Sequence, residues 1–245
     1  MKRCPGLLLL LFFVSCGKDF HPTKSDTTYY NIYGNSLADT AILNFIQPYH
    51  DSLEIQMKEV VAVSDVPMEK AKPECLLGNF IADLLLEKGK QYNAGAADFS
   101  IVNYGGLRLP VLPAGNITKG TIFELMPFDN FLVVMEIKGS VVKKLLDSIA
   151  AEGGWPVAGI RFTIRDGKAS DIFIQGNPLN EERVYHAVIS DYLADGGDNL
   201  LFLRTEKRKN TGVLFRDAIL EYLSEQTQAG KTITSHLDSR ITIYE

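Results

Sequence analysis

The chain has 245 residues, 46% apolar and 22% charged, with a formal net charge of −5 at pH 7. That composition excludes a disordered tail, and the acidic balance argues against a nonspecific nucleic-acid binder. A chain of this length buries enough apolar surface to fold without a metal or disulfide staple.

The first residues read as an address rather than as fold. Lys2 and Arg3 give a positive start, residues 7–14 are an unbroken apolar run, and Ser15, Cys16 and Gly17 follow. The run is too short to span a bilayer as a helix and fits a secretory signal over residues 1–15. The small residue before Cys16 resembles the lipobox of bacterial lipoproteins, with Phe13 where leucine is usual. The resemblance implies cleavage before Cys16, acylation of its thiol and attachment to a membrane on its periplasmic or outer side, since two or more acyl chains anchor stably. Residues 16–35 are polar, contain Pro22, and read as a flexible tether. With Cys4 in the signal and Cys16 lipidated, Cys75 is left alone, and no intramolecular disulfide is expected.

Residues 36–245 carry no repeat and no composition break, and are expected to form one domain. Apolar residues over 39–57 suggest a helix broken at Pro48. A strand follows at 60–63, then a loop over 64–73. Over 74–92, Leu76, Leu77, Phe80, Ile81, Leu84 and Leu85 recur at spacings of three and four, the mark of an amphipathic helix. Residues 98–103 are a strand, 121–126 a helical turn, 131–137 a buried strand and 139–151 a helix. Strands at 159–165 and 170–175 flank Asp166 and Gly167, a hairpin signal. A strand at 184–190, a tight loop at 195–198, a helix at 213–225 and a final strand within 233–244 complete the chain. Helices mixed with hairpins predict an α+β fold, a mixed β-sheet with helices, rather than a regular parallel α/β sheet.

Three loops gather residues suited to a small polar ligand. The first runs from Asn103 to Arg108. Asparagine offers a donor and an acceptor, arginine a fork for phosphate, and Gly105 and Gly106 let backbone N–H groups approach a ligand closely. On its own such a turn is more often structural. The second, Met126 to Asn130, sets Phe128 beside Pro127, a ring suited to stacking or to the core. The third runs from Asp191 through Tyr192, Asp195 and Asp198 to Asn199. Its carboxylates suit ribose hydroxyls or capping of backbone N–H groups, and an EF-hand's remaining calcium ligands are missing. Cys75, beside the apolar stripe, reads as a buried inert thiol.

Taken in order, the E-x-L-x-GN-x-IAD stretch from Glu74 to Asp83, VNYGGLR from Val102 to Arg108, MPFDN from Met126 to Asn130, the helix from Lys138 to Leu146, and SDYLADGGDN from Ser190 to Asn199 are similar to the C-terminal domain of the 5′-nucleotidase/UDP-sugar hydrolase family. The resemblance implies a domain that supplies substrate specificity. Phe128 and Tyr192 match two rings that sandwich the base, the second often phenylalanine in the family. Asn103 matches a base-contacting asparagine, Asp198 an aspartate that bonds the ribose hydroxyls, and Arg108 an arginine that grips phosphate. Where the family often has another arginine before the first helix, this chain has Lys70 and Lys72, point charges without a fork.

The family's metallophosphoesterase motifs, of the D-x-H, G-D-x-x-D, G-N-H-E/D and G-H-x-H kinds, do not occur in these residues, and His21, His50, His186 and His236 are scattered. No catalytic residue and no metal site are therefore expected in this chain. The reading is the nucleotide-binding part of a split 5′-nucleotidase, with two divalent metals in a separate metallophosphoesterase subunit. The alternative is a stand-alone nucleoside- or nucleotide-binding lipoprotein.

Overall fold

A computed structural model describes residues 26–30, 39–93 and 95–244. The signal segment, Cys16, and the tether but for residues 26–30 lie outside the described residues. The chain divides into residues 1–45 and 46–245. Helix α1 (Thr40–Met57) starts where the Asp39 carboxylate accepts the N–H of Ala41 at 2.8 Å, an N-cap. It runs through Pro48 without the expected break. The proline removes one helical donor, but Asn44, whose carbonyl loses its partner, is exposed and can be hydrated instead.

In chain order the following elements are β1 (Val60–Ser64), β2 (Met68–Glu69), α2 (Leu76–Tyr92), β3 (Phe99–Ile101), β4 (Val111–Leu112), β5 (Gly115–Thr118), α3 (Lys119–Leu125), β6 (Phe131–Lys138) and α4 (Gly139–Ala151). Then come β7 (Val157–Ala158), β8 (Ile160–Arg165), β9 (Lys168–Ile174), β10 (Asn177–Pro178), β11 (Val184–Ser190), α5 (Asp191–Ala194), β12 (Lys207–Leu214), α6 (Phe215–Gln228) and β13 (Ile241–Tyr244). Several of these were not expected from sequence, among them β2 and β12. The 64–73 loop contains β2, which pairs with β4. Residues 207–212, given no element from sequence, and residues 213–214, expected in a helix, form strand β12, and the helix starts at Phe215.

A five-stranded sheet in the order β12-β6-β11-β3-β7 is the centre of the fold. It is mixed: β11 runs antiparallel to β6 and parallel to β3. Side chains alternate across it. Leu132, Val134 and Val188 join α2 and α6 in one core cluster, while Val133, Met135, Ile137, Ala187 and Ile189 join α4 and strands β8 and β9 in the other. Burial on both faces explains why β6 is an apolar run without alternation. A second sheet, β10-β9-β8-β13, completes the far layer.

Two polar clusters fasten the layers. The fully buried Lys88 of α2 donates to Gln91, Glu221 and Glu225, the last two on α6. Arg240 bonds both oxygens of Asp83 at 2.8 Å, and Glu74 accepts the backbone N–H groups of Asp238 and Arg240. This second cluster pins the segment before β13 to α2.

Candidate functional site

Strand directions decide where the loops meet. In the central sheet β3, β11 and β12 all end on the edge where β6 begins: Ser190 pairs with Leu132, and Leu214 with Phe131. The loops after β3 and β11, the loop before β6 and the start of α6 therefore share one end of the sheet. Two backbone bonds tie them together. Arg108 N–H donates to Leu125 at 2.9 Å, and Phe215 N–H to Asn130 at 2.8 Å.

A cavity of about 290 Å³ opens there, lined by Asn103, Gly105, Gly106, Arg108, Met126, Phe128, Asn130, Ser190, Tyr192, Asp198 and Phe215. All seven ligand-facing residues expected from sequence are among them. Phe128 is half-buried and Tyr192 is exposed, with Arg108 Cζ 4.9 Å from the Phe128 ring centre. Among the described residues Arg108 makes no ion pair. Ser190 accepts the N–H of Leu193 at 3.3 Å and so starts α5, the turn that carries Tyr192.

A hydrogen-bonded triad crosses the cavity wall. Asn103 Nδ2 donates to one oxygen of Asp198 at 2.9 Å, and the Tyr192 hydroxyl donates to the other at 2.9 Å. The same hydroxyl accepts the backbone N–H of Asp198 at 3.2 Å. The bond to the carboxylate, then burial, holds the Tyr192 phenol above its ordinary value of 10.0. Gly106 makes room for Asn103, since a Cβ there would lie 2.6 Å from Asn103 Oδ1.

The two lysines that stand near the family's arginine position serve the loop. Lys70 Nζ donates to the Leu107 carbonyl at 2.7 Å and sits 4.0 Å from the centre of the Tyr104 ring. Burial, then the charge of Arg108, holds Lys70 below its ordinary 10.5, and the neighbouring Cys75 opposes this. Lys72 lies 4.9 Å from the same ring and donates to the Glu152 carbonyl. Arg108 is left as the exposed cation lining the cavity.

Sequence reasoning missed Met126, Asn130 and Ser190, which flank recognised residues, and Phe215, which no local pattern marks. It also missed Arg216, which stands behind the second loop. Its guanidinium donates weakly to the carbonyls of Met126 and Phe128 at 3.5 Å, pairs with Asp129 at 2.7 Å and covers the Phe123 ring at 4.2 Å. Its Nε is buried without a hydrogen-bond partner among the described residues. Conversely, Glu74, Asn79 and Asp83 of the first motif do not line the cavity. They fasten the segment before β13, with Asn79 donating to the His236 carbonyl at 2.9 Å.

Other candidate chemistry is committed elsewhere. Cys75 is buried, and its sulfur caps α2 by accepting the N–H of Gly78 at 3.2 Å. The carboxylates of the third loop face different partners: Asp191 accepts the N–H of Tyr192, Asp195 pairs with Arg208, and Asp198 belongs to the triad. A larger cavity of about 600 Å³ is lined by Asp83, Arg161, Phe173, Gln175, Asp238 and Arg240 among others, but Arg240 is already bound by Asp83 and Asp238. Among the described residues, His50, Asp51 and Glu54 come close enough to share an ion; all are exposed on α1, and Glu54 is paired with Lys58.

Residues 59–205 match the 5′-nucleotidase, C-terminal domain family. A 5′-nucleotidase of Vibrio vulnificus is 29% identical over 200 residues, covering 77% of this chain and 35% of that protein. The crystal structure of a 5′-nucleotidase precursor from Thermus thermophilus superposes with a TM-score of 0.72 at 28% identity, over 84% of this chain and 43% of the other. The NAD nucleotidase of Haemophilus influenzae shares the fold, with a TM-score of 0.64 at 18% identity over 84% of this chain and 42% of its own. The chain thus spans about a third of the length of the Vibrio relatives it matches.

Proposed function

This chain belongs to the 5′-nucleotidase C-terminal domain family, and from that membership we propose that its cavity binds a nucleoside or nucleotide and sets the specificity of phosphate-ester hydrolysis. In this reading Phe128 and Tyr192 take the base, Asn103 its polar edge, Asp198 the ribose hydroxyls and Arg108 the phosphate. Gly105 and Gly106 allow backbone to approach the ligand. Stacking contributes about 1–3 kcal/mol per base, and a hydrogen bond to a charged group about 1.5–3 kcal/mol. The single observation that carries the reading is convergence: three loops far apart in sequence, each bearing residues of the right chemistry, line one cavity.

The bond-breaking step belongs, on this proposal, to a separate metallophosphoesterase chain with two divalent metals. This chain contributes by holding the substrate in place, which lowers the entropic barrier to reaction. A lipid on Cys16 would keep the assembly at a bacterial membrane, on its periplasmic or outer face. The experiment is release of phosphate from 5′-AMP with divalent metal. No release by this chain, and release when a compatible metallophosphoesterase is added, supports the split. Turnover by the pure chain overturns it. Tight AMP binding with no gain from any such partner favours a stand-alone binder.

A further inference from the structure

We infer that the Tyr192 hydroxyl, and not its ring alone, determines sugar selectivity, by positioning the Asp198 carboxylate to accept a vicinal diol. The inference rests on the reading of the cavity as a nucleoside site.

Asp198 has φ 50° and ψ 37°, the left-handed region that a residue with a Cβ seldom occupies. Its side chain and backbone are both held there by one group. The Tyr192 hydroxyl accepts the Asp198 N–H at 3.2 Å and donates to its carboxylate at 2.9 Å. The donating role needs a protonated phenol, and Tyr192 is held above its ordinary value. The ring in turn is packed on Gly197, where a Cβ would lie 2.5 Å from Tyr192 Cε1 and Cζ.

The acceptor count then points to a ligand. Each carboxylate oxygen has two lone-pair positions. One oxygen takes Asn103 Nδ2 and the other takes the Tyr192 hydroxyl. One acceptor position remains on each oxygen, which matches the two hydroxyl donors of a ribose cis-diol. Phenylalanine at this position keeps the ring but removes the two bonds that the hydroxyl makes to Asp198, leaving the carboxylate held by Asn103 alone. Because Asp198 is exposed, water then satisfies its groups, and the loss falls on preorganisation rather than on folding.

The test is calorimetry on the full chain with adenosine and 2′,3′-dideoxyadenosine, comparing wild type, Tyr192→Phe and Gly197→Ala. The quantity read is the ratio of the two dissociation constants. Wild type prefers adenosine, and Tyr192→Phe lowers that preference by about fivefold to tenfold, the loss of roughly one hydrogen bond. Gly197→Ala, which displaces the ring, lowers it in the same direction. A purely structural role weakens both ligands together and leaves the ratio unchanged; that outcome overturns the inference while the nucleoside site stands. If wild type binds neither ligand, both fall.

Discussion

The Lys88 cluster makes an asymmetric prediction. The side chain is fully buried, and its ammonium donates to Gln91 at 2.9 Å, Glu221 at 2.8 Å and Glu225 at 2.6 Å, so all three N–H groups are used. Replacing both Glu221 and Glu225 by glutamine leaves a buried ammonium with no counter-charge. Breaking a buried pair from one side costs about 3–5 kcal/mol. The carboxylates are themselves 47% and 41% exposed, so the cost falls at the low end, about 3 kcal/mol. That lowers the melting temperature by about 6–12 °C for a protein of this size. Lys88→Met removes the charge together with its desolvation, and Glu221 and Glu225 turn to water. It should cost less than about 1 kcal/mol or stabilise. Urea unfolding followed by fluorescence of the single tryptophan, the buried Trp155, reads both. A double glutamine variant as stable as wild type, or a Lys88→Met variant as damaged as the double, refutes the reasoning. The pH dependence has a definite sign. Lys88 first, then Tyr92, holds Glu221 below its ordinary 4.5. The stability from Glu221 is therefore fully present above about 4.5 and is lost as pH falls through its lower folded value, a decline that Glu221→Gln should flatten.

Arg108→Met should weaken AMP by roughly 10–150-fold and adenosine far less, since a charge-assisted bond to phosphate is worth about 1.5–3 kcal/mol; equal losses for both ligands in calorimetry would mean that Arg108 does not meet the phosphate. Arg216→Met, acting through the loop that carries Phe128, should weaken AMP and adenosine alike by about threefold to tenfold. An unchanged adenosine affinity would show that Arg216 does not hold that loop.

How much was legible depended on whether the signal was local. The helix at Gly139–Ala151 and the strand at Val184–Ser190 match their sequence bounds, because apolar periodicity alone defines them. The hairpin turn at Asp166 and Gly167, with φ values of 49° and 70°, was written in two residues. The cavity's loops were legible through the resemblance of five ordered motifs to a known domain family; alone, each loop's polar pattern suited a structural turn or a core ring equally well. Strand β12 was not: its residues, Lys-Arg-Lys-Asn-Thr-Gly-Val-Leu, are largely exposed, and it exists through pairing with β6, some seventy residues earlier. Phe215 and Arg216 fall inside the helix expected at 213–225, but no local pattern marks either as facing the site. Nor did spacing alone reveal that Glu74 and Asp83 serve the segment before β13 rather than the ligand. That role depends on a partner, Arg240, more than 150 residues away.

The central claim is that Phe128 and Tyr192 grip one base in one cavity. Calorimetry of the full chain with 5′-AMP, against a Phe128→Ala/Tyr192→Ala variant shown to be folded, tests it directly. Saturable binding by wild type, weakened at least about tenfold in the variant through lost stacking, is the expected result. Equal affinity in the two proteins, or no binding by wild type, would contradict it.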